Sequence, residues 1–564
     1  MSRTFISRPW CVGTLVAGCL LAVLLPVESA GPRKTAAVGK MGQVVDWSNR
    51  HVLYPQGATL RALSVSQRDP RGYWNYLRLV QAAERGSAED RRGRVVPRKP
   101  MPARVDWSVS LGAAGAAAGM YPAKYSFDVN ATPDCTNDYV VFPIDVNGSA
   151  TQATIAAFNN LYSGTGTTSC GANTTATILW AYRPTAAGTT RTRTSPILSL
   201  DGTKVAFLDG KNPAVFHVLT PTAGQGTVGA PVVPTAAQMA NVTLTGGAVD
   251  RNSSPFVDYY NDVAYVGTNN GMLFKITGVF HGTPALAGGP WPVAAGTGVL
   301  TGPVIDFITG NVFVGSDDGN LYGFTPGGAA IPGSPLTVGS GRANGGIESP
   351  PIVDEMNGLV MVSSGEEPTR TNAVVVQTGT ASFATVHVAA IGNNNAALLY
   401  AGTFNDAYFT APTNLTGTTS EWFFYVCGAA PGAGTTPVLY RVGFNGTPRQ
   451  MNTAANATTV TLSANGGERC SPITELRNGV DRIFLGLLTA GVVEFFDVST
   501  TTTPTLGGTG AVAPVAEAGG TSGIIVDNVS AIAQASSIYF TTQANSANCG
   551  GNRCGVKLAQ GGLQ

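Results

Sequence analysis

The chain has 564 residues, of which 71 are glycine, 35 are proline and only 12% are charged. This composition favours many short strands joined by tight turns and argues against a mainly helical protein. The near-neutral total charge hides two opposed parts: residues 31–104 hold 15 Lys and Arg against 5 Asp and Glu, a net charge of +10, whereas residues 105–564 hold 17 against 27, a net charge of −10.

The first thirty residues predict export. A short basic start precedes the apolar run Cys11–Val27, and small residues suited to cleavage follow near Ser29. The run is broken by Gly and Pro and is shorter than a membrane-spanning helix requires, and no later segment is long and apolar enough to span a bilayer. We expect 1–30 to be a signal peptide and the protein to be periplasmic, cell-surface or extracellular. Lipidation at Cys19 is an alternative to simple cleavage.

Residues 31–104 form a basic N-terminal arm. Apolar residues at roughly helical spacing predict one short helix near 72–86 in an otherwise mostly irregular segment, and the Arg-rich, Pro-broken stretch 90–104 is typical of a linker or exposed arm. The arm is a candidate for weak contact with an anionic surface, for packing against its own acidic domain, or for removal as a pro-segment. Export and the lack of a recognition motif argue against nucleic acid.

Six cysteines follow the signal segment, an even number that suits an oxidising compartment. The sequence leaves their connectivity open. The simplest arrangement pairs neighbours: Cys135 with Cys170, Cys427 with Cys470, and Cys549 with Cys554.

A repeat of 48 residues dominates the chain from residue 105 onward. Residues Pro255, Asp258, Val266, Gly267 and Gly271 recur as Pro303, Asp306, Val314, Gly315 and Gly319, and then in part as Pro351, Asp354 and Val362. Each copy is predicted to form an apolar strand, a polar turn and a second strand rich in β-branched and aromatic residues. A further turn follows at an Asn-Gly or Asp-Gly. Such a meander cannot bury its apolar faces alone, but copies packed face to face around an axis bury them for one another.

The sequence therefore predicts an all-β fold, a β-propeller over 105–564, most simply with eight blades. The expected blades are 121–183, 194–245, 253–293, 300–338, 347–392, 400–460, 470–510 and 521–562. Seven blades is the alternative if the first or last unit merges to close the ring.

The repeat, with its Ser-Pro start, its Asp and its Val-Gly-(Ser/Thr)-x-(Asp/Asn)-Gly core, resembles that of the pyrroloquinoline-quinone (PQQ) quinoprotein-like β-propellers. Members of that family include quinone-dependent alcohol and sugar dehydrogenases and also non-catalytic scaffold proteins. The resemblance therefore implies the architecture more strongly than it implies an activity.

The residues that the dehydrogenases of this family use are poorly matched. The resemblance implies an adjacent Cys pair, a Trp floor, a Ca²⁺ site and a catalytic Asp, but no two cysteines are adjacent, and Trp180, Trp291 and Trp422 are explicable as packing. One aspartate per repeat at the same register (Asp258, Asp306, Asp354) is the pattern of a structural turn rather than of a metal site.

The sequence supports neither a histidine metal site nor a phosphate-binding loop. The four histidines, His51, His217, His281 and His387, are widely spread and lack metal-ligand spacing. The Gly-rich run 339–346 lacks the Lys-Ser/Thr of a phosphate-binding loop. We assign no catalytic, cofactor or metal residue.

The leading hypothesis is an exported, non-catalytic binding or scaffold protein that holds a protein or polymer partner at a propeller face or in the central funnel. The alternative is a PQQ-dependent oxidoreductase, with PQQ and Ca²⁺ as cofactors and a diverged site.

Overall fold

Eight small antiparallel sheets make up most of the chain. The computed structural model describes residues 42–559 with internal gaps, so the expected signal segment lies outside the described part. The gaps are residues 55–59, 73–103, 129–131, 165–168, 187–189, 249–251, 342–344, 395–398, 411–421, 432–434, 447, 454–458, 465, 479, 500–504, 507–514 and 528–536. The sheets follow one another along the sequence and are numbered blades 1 to 8.

Blades 1 to 4 match the expected units closely. Their strands are Ala123–Ser126, Tyr139–Pro143, Ile155–Asn159 and Thr177–Tyr182; Ile197–Leu198, Val205–Asp209, Val215–Leu219 and Met239–Thr243; Phe256–Asp258, Val263–Gly267, Met272–Thr277, Ala285–Leu286 and Val293–Ala294; and Val304–Ile305, Val312–Gly315, Asn320–Phe324 and Leu336–Thr337.

Blades 5 to 8 complete the set and confirm the count of eight. Their strands are Ile352–Asp354, Leu359–Ser364, Asn372–Gly379 and His387–Asn393; Thr403–Phe404, Phe423–Ala429, Pro437–Asn445, Gln450–Met451 and Thr459–Thr461; Thr474–Asn478, Val480–Leu487, Val492–Asp497, Thr505–Leu506 and Val515–Ala516; and Ile525–Asp527, Ser537–Thr541 and Arg553–Ala559. The described helices are the 3₁₀ turns Trp47–Arg50 and Ala547–Cys549 and the α-helices Leu60–Arg68 and Asp406–Thr410.

The blades form a closed ring. First strands contact one another in most pairs of successive blades, including blades 8 and 1, which places the first strands next to the axis. The strand Arg104–Gly112 pairs antiparallel with Arg553–Ala559 and becomes the outer strand of blade 8. The sequence analysis assigned no strand to these residues. One sheet thus contains strands from both ends of the propeller, and their pairing closes the ring.

The hydrophobic core lies between the blades. The position of a strand within its blade therefore determines which of its residues are buried. Val263–Gly267, a middle strand, is buried along its whole length because both of its faces pack against other side chains. The outer strand Met239–Thr243 alternates between buried and more exposed residues, since it borders solvent. Middle strands therefore read as continuous apolar runs, and outer strands do not.

Two of the repeated glycines have a clear structural reason. Gly271 and Gly319 have φ of +76° and +87°, a conformation that L side chains rarely adopt. A Cβ at Gly271 would lie 2.3 Å from the carbonyl oxygen of Gly296, and one at Gly319 would lie 2.5 Å from that of Gly339. The 48-residue repeat therefore keeps glycine where the hairpin turn meets the backbone of the next connection.

Residues 42–54 cross the centre of the ring and are called the axial hairpin, although their two short strands pair with different blades and not with each other. Gln43–Val45 pairs antiparallel with the first strand of blade 1, and Val52–Leu53 pairs parallel with the first strand of blade 5. In a ring of eight, these blades lie on opposite sides of the axis. This part of the basic arm, expected to be mostly irregular, is therefore an ordered element inside the propeller.

A helix that was not predicted from the sequence follows the axial hairpin. The described helix is Leu60–Arg68, whereas the helix predicted near 72–86 falls in the undescribed residues beyond Gly72. The Arg-rich stretch likewise lies outside the described part up to residue 103. No helix in the described residues is long and apolar enough to cross a membrane.

Three disulfides join the cysteines in the local pairs that the sequence analysis favoured. They are Cys135–Cys170, Cys427–Cys470 and Cys549–Cys554. The second connects blade 6 to the segment that leads into blade 7, and the third closes the hairpin that precedes the last strand. Each closes a loop and limits the freedom of the unfolded chain.

Candidate functional site

The repeated aspartates act as turn caps. Asp258 Oδ1 accepts hydrogen bonds from the backbone N–H groups two and three residues further on, both at 3.1 Å, and Asp354 Oδ1 does the same at 2.9 and 3.1 Å. Asp306 accepts from the N–H of Ile308 at 3.0 Å and from the hydroxyl of Thr309 at 2.6 Å. Each aspartate stabilises the turn after a first strand, the structural role that the sequence pattern favoured. In the described part, no three His, Cys, Asp or Glu side chains are arranged to hold a metal ion.

The histidines lie in separate parts of the molecule. His217 is buried in blade 2, where Nε2 lies 3.0 Å from Asp209 Oδ2 and Nδ1 lies 2.6 Å from Asn241 Oδ1. His51 is buried in the axial hairpin, and burial lowers its pKa to about 4. His51 Nδ1 lies 3.0 Å from the carbonyl oxygen of Pro351, so the two histidines have separate partners in different parts of the fold.

The three tryptophans singled out from the sequence, Trp180, Trp291 and Trp422, do not form a common floor. Trp180 packs against Tyr182 in blade 1, Trp291 meets the ring of Tyr265 in blade 3 at 5.2 Å, and Trp422 lies 4.1 Å from the guanidinium carbon of Arg449 at blade 6. Each ring packs within or beside a different blade.

The central funnel, one of the two places where we expected a partner, holds side chains of the axial hairpin. Trp47 of the axial hairpin donates its indole N–H to the carbonyl of Pro255 at 3.0 Å and packs edge-on against Phe256. Its ring is so close to Gly302 that a Cβ there would lie 2.8 Å from it. Trp47, a side chain of the N-terminal arm, therefore packs against blades 3 and 4.

A buried charge network holds the hairpin in place. Arg71 forms ion pairs with Asp69 at 2.7 Å and with Asp46 at 3.3 Å, and it donates to the hydroxyl of Ser48 at 2.6 Å. Its guanidinium lies 4.8 Å from the ring centre of Tyr259 in blade 3. A buried cation destabilises the folded state unless an anion pairs with it. The ion pairs of Arg71 therefore favour one position for residues 42–54. Sequence reasoning missed it, since the partners lie 25 residues apart in an irregular segment.

The loop after the ring-closing strand contacts residues that directly precede the first strands of blades 8 and 2. The carbonyl of Met120 accepts from Gly523 N–H at 2.7 Å, and Tyr121 N–H donates to the hydroxyl of Ser195 at 2.9 Å. Both residues are buried. Side chains of the protein thus lie at the axis, so we favour the faces and the spaces between blades over the funnel as places for a partner.

These residues do not fit a quinone site of the kind that the sequence resemblance implies. The repeated aspartates are used in turns, the tryptophans lie apart, and the axis is occupied by Trp47 and its neighbours. We therefore derive no reaction step through PQQ or Ca²⁺.

An open pocket of about 570 Å³ lies between blades 3 and 4. It opens on the turn face, defined as the face formed by the turns that follow the first strands, such as 259–262 and 306–311. Its lining consists of Arg68, Asp258, Tyr260, Asn261, Val263, Tyr265, Lys275, Thr277, Ile305, Phe307, Thr309, Gly310 and Pro326. Two blades and the helix Leu60–Arg68 thus build this inter-blade pocket together.

The inter-blade pocket combines cationic, aromatic and neutral polar groups. Lys275 Nζ lies 5.6 Å from the ring centre of Tyr265 and 5.9 Å from that of Trp291. Arg68 is anchored by a hydrogen bond of 2.6 Å from Nη1 to the carbonyl of Phe307. Tyr260 is 68% exposed at the rim, the largest exposed fraction among the large apolar side chains of the described residues. Convergent polar groups beside aromatic rings are typical of a ligand site.

Sequence reasoning missed this pocket. Of its residues, the sequence analysis singled out only Asp258, and it did so for a different role. The signal that could have pointed to it was Tyr260, an aromatic residue next to the repeated aspartate in the turn of blade 3, where the later repeats have Ile308 and Met356. The contribution of Arg68 could not be predicted from the sequence, because the helix that carries this residue reaches the pocket only through tertiary packing.

The geometry defines the class of protein: an all-β, eight-bladed propeller closed by its N-terminal strand, with an axial hairpin inside the ring. No protein-family model matches the sequence, and no curated protein sequence matches it. Similar solved structures include BamB from Moraxella catarrhalis (13% identity, 81% of this chain and 99% of that chain, TM-score 0.40). Others are the Dos1 propeller (9%, 81% and 94%, 0.45) and the dihydro-heme d1 dehydrogenase NirN in complex with DHE (11%, 82% and 88%, 0.39).

Proposed function

We propose that this chain is an exported, non-catalytic binding or scaffold protein that holds its partner on the turn face of the propeller. The observation that carries the proposal is the inter-blade pocket, which is open to solvent and lined by Arg68, Lys275 and the exposed ring of Tyr260. A strand, a turn and the end of a helix position these groups, and a rigid scaffold that presents side chains at turns is a common basis for recognition.

Three disulfides in a chain of this length fit an oxidising compartment, in agreement with the signal segment expected from the sequence. We place the protein in the periplasm, on the cell surface or in the extracellular space. The side chains at the axis support the choice of a face over the funnel.

The test compares the full chain with a Tyr260→Ala/Lys275→Glu variant on arrays of envelope saccharides, peptides and lipids. We expect saturable binding of one class of probe by the parent chain and its loss in the variant. The matched control is Lys211→Glu, an exposed lysine of blade 2 outside the pocket. Binding that survives the pocket variant would contradict the proposal. So would saturable binding of PQQ in the presence of Ca²⁺ with dye-linked oxidation of an alcohol or sugar, the outcome that favours the oxidoreductase alternative.

A further inference from the structure

We propose that the inter-blade pocket binds a compact carboxylated saccharide, such as an oligosaccharide that contains uronic acid. The inference rests on the proposed function, because it names the ligand class of the same pocket. It follows from the charges of the lining side chains, from their existing partners and from the aromatic ring at the rim.

Lys275 supplies a positive charge that the protein itself leaves without an anion. Its Nζ is held over the rings of Tyr265 and Trp291, and it forms no ion pair with a carboxylate of the described residues. Aromatic faces attract the ammonium and restrict its position. The charge is therefore positioned in advance for an anion that enters from solvent.

Arg68 supplies a second positive charge from the other wall. One of its N–H groups is used for the carbonyl of Phe307, and this bond fixes the guanidinium at the end of the helix Leu60–Arg68. A guanidinium has five N–H donors, so the remaining donors can engage a carboxylate. The basic N-terminal arm thus contributes directly to a site on the acidic propeller.

The one carboxylate in the lining does not cancel these charges. Both oxygens of Asp258 accept hydrogen bonds within its own turn, Oδ1 from two backbone N–H groups and Oδ2 from the Asn261 amide at 2.6 Å. With two cations and one anion, the lining has a net positive charge that favours a negative ligand. This small net positive charge matches a compact ligand with few carboxylates rather than a highly charged polyanion.

The rim favours a saccharide over an acidic peptide. Tyr260 is 68% exposed and offers a flat apolar face on which the C–H face of a sugar ring can pack. Thr277 and Thr309 place hydroxyl groups in the same lining, where they can exchange hydrogen bonds with sugar hydroxyls. The volume of about 570 Å³ lies within the range of small-ligand pockets, about 300–1,000 Å³.

The experiment titrates the full-length mature protein with digalacturonic acid and, in parallel, with the neutral disaccharide galactobiose, by calorimetry and ligand-observed NMR. We expect saturable binding of the acidic disaccharide and binding of the neutral one that is weaker by about tenfold or more, the effect of one charge-assisted contact. Affinity for the acidic probe should fall as salt rises.

Two substitutions locate the site. Lys275→Met keeps an apolar chain against Tyr265 and Trp291, and Arg68→Met changes an exposed residue, so we expect both variants to fold and each to weaken binding by about tenfold. Lys275→Arg should retain most of the affinity, and Lys211→Met should leave it unchanged. Circular dichroism and thermal unfolding verify that the variants are folded.

Equal binding of both disaccharides would overturn the carboxylate assignment, and equal or tighter binding of a glutamyl dipeptide would overturn the saccharide assignment. Absence of binding by the acidic disaccharide also overturns the inference. In that case, array binding that still depends on Tyr260 and Lys275 shows that the proposed function survives with a different ligand.

Discussion

Lys557 and Asp106 form an ion pair with 3.0 Å between Nζ and Oδ2, and both side chains are fully buried at the pair of strands that closes the ring. Burial lowers the pKa of Lys557 and raises that of Asp106, so desolvation opposes both charges and their mutual attraction offsets this cost. A second pair, Lys124 with Asp527 at 2.9 Å, joins the first strands of blades 1 and 8. The closure of the propeller therefore depends on complementary buried charges as well as on strand pairing.

Removal of one partner should destabilise the closure strongly. Lys557→Met leaves the buried Asp106 with only the more exposed Arg104, 3.3 Å away, as a cation, and we expect the free energy of unfolding to fall by about 3 kcal/mol in urea denaturation. The double variant Lys557→Met/Asp106→Leu should recover part of this loss because it removes both charges. A single variant that loses less than about 1 kcal/mol would show that the pair contributes little.

Loss of Arg71 should release the axial hairpin. Arg71→Leu leaves Asp46 and Asp69 buried near each other, and we expect a loss of about 3–5 kcal/mol together with faster proteolysis within residues 42–54. Arg68→Met is the matched control, since Arg68 is exposed and its loss should cost about 1 kcal/mol or less. Unchanged protease resistance in Arg71→Leu would contradict the role assigned to the network.

The buried carboxyl of Glu517 should make stability depend on pH. Burial raises its pKa to about 7 from 4.5, so between these values the folded protein keeps a proton that the unfolded chain has lost, and this group lowers stability as pH rises. Glu517→Gln should gain stability over the parent by about 2–3 kcal/mol between pH 4.5 and 8. A difference between the two proteins that does not change with pH would contradict this.

Substitution of two glycines can distinguish the cost of a positive φ from the cost of close packing. Gly246 has φ of +85° and nothing within 4 Å of the position that a Cβ would take, whereas Gly271 has φ of +76° and a backbone atom 2.3 Å from that position. We expect Gly246→Ala to cost about 1–2 kcal/mol and Gly271→Ala about 2–4 kcal/mol, because only the second must also displace its neighbour. Thermal and urea unfolding measure both. Equal costs would show that the turn relaxes freely.

The sequence by itself determined the repeating part of the molecule. The units expected at 253–293 and 300–338 hold strands at Phe256–Ala294 and Val304–Thr337, because a blade is made of neighbouring strands whose apolar runs and turn residues are local signals. The turn role of Asp258 was readable for the same reason, since its partners lie two and three residues away.

Only the tertiary structure decided what lies at the axis and what opens on the turn face. Gln43–Val45 and Val52–Leu53 have three and two residues, too few to show a strand period, and Trp47 finds its acceptor at Pro255, 208 residues away. The inter-blade pocket likewise depends on Arg68 meeting blades 3 and 4 in space. Short segments that pair with distant residues show no periodic pattern in the sequence. They are stabilised by the ring that the other residues form, and not by a pattern of their own.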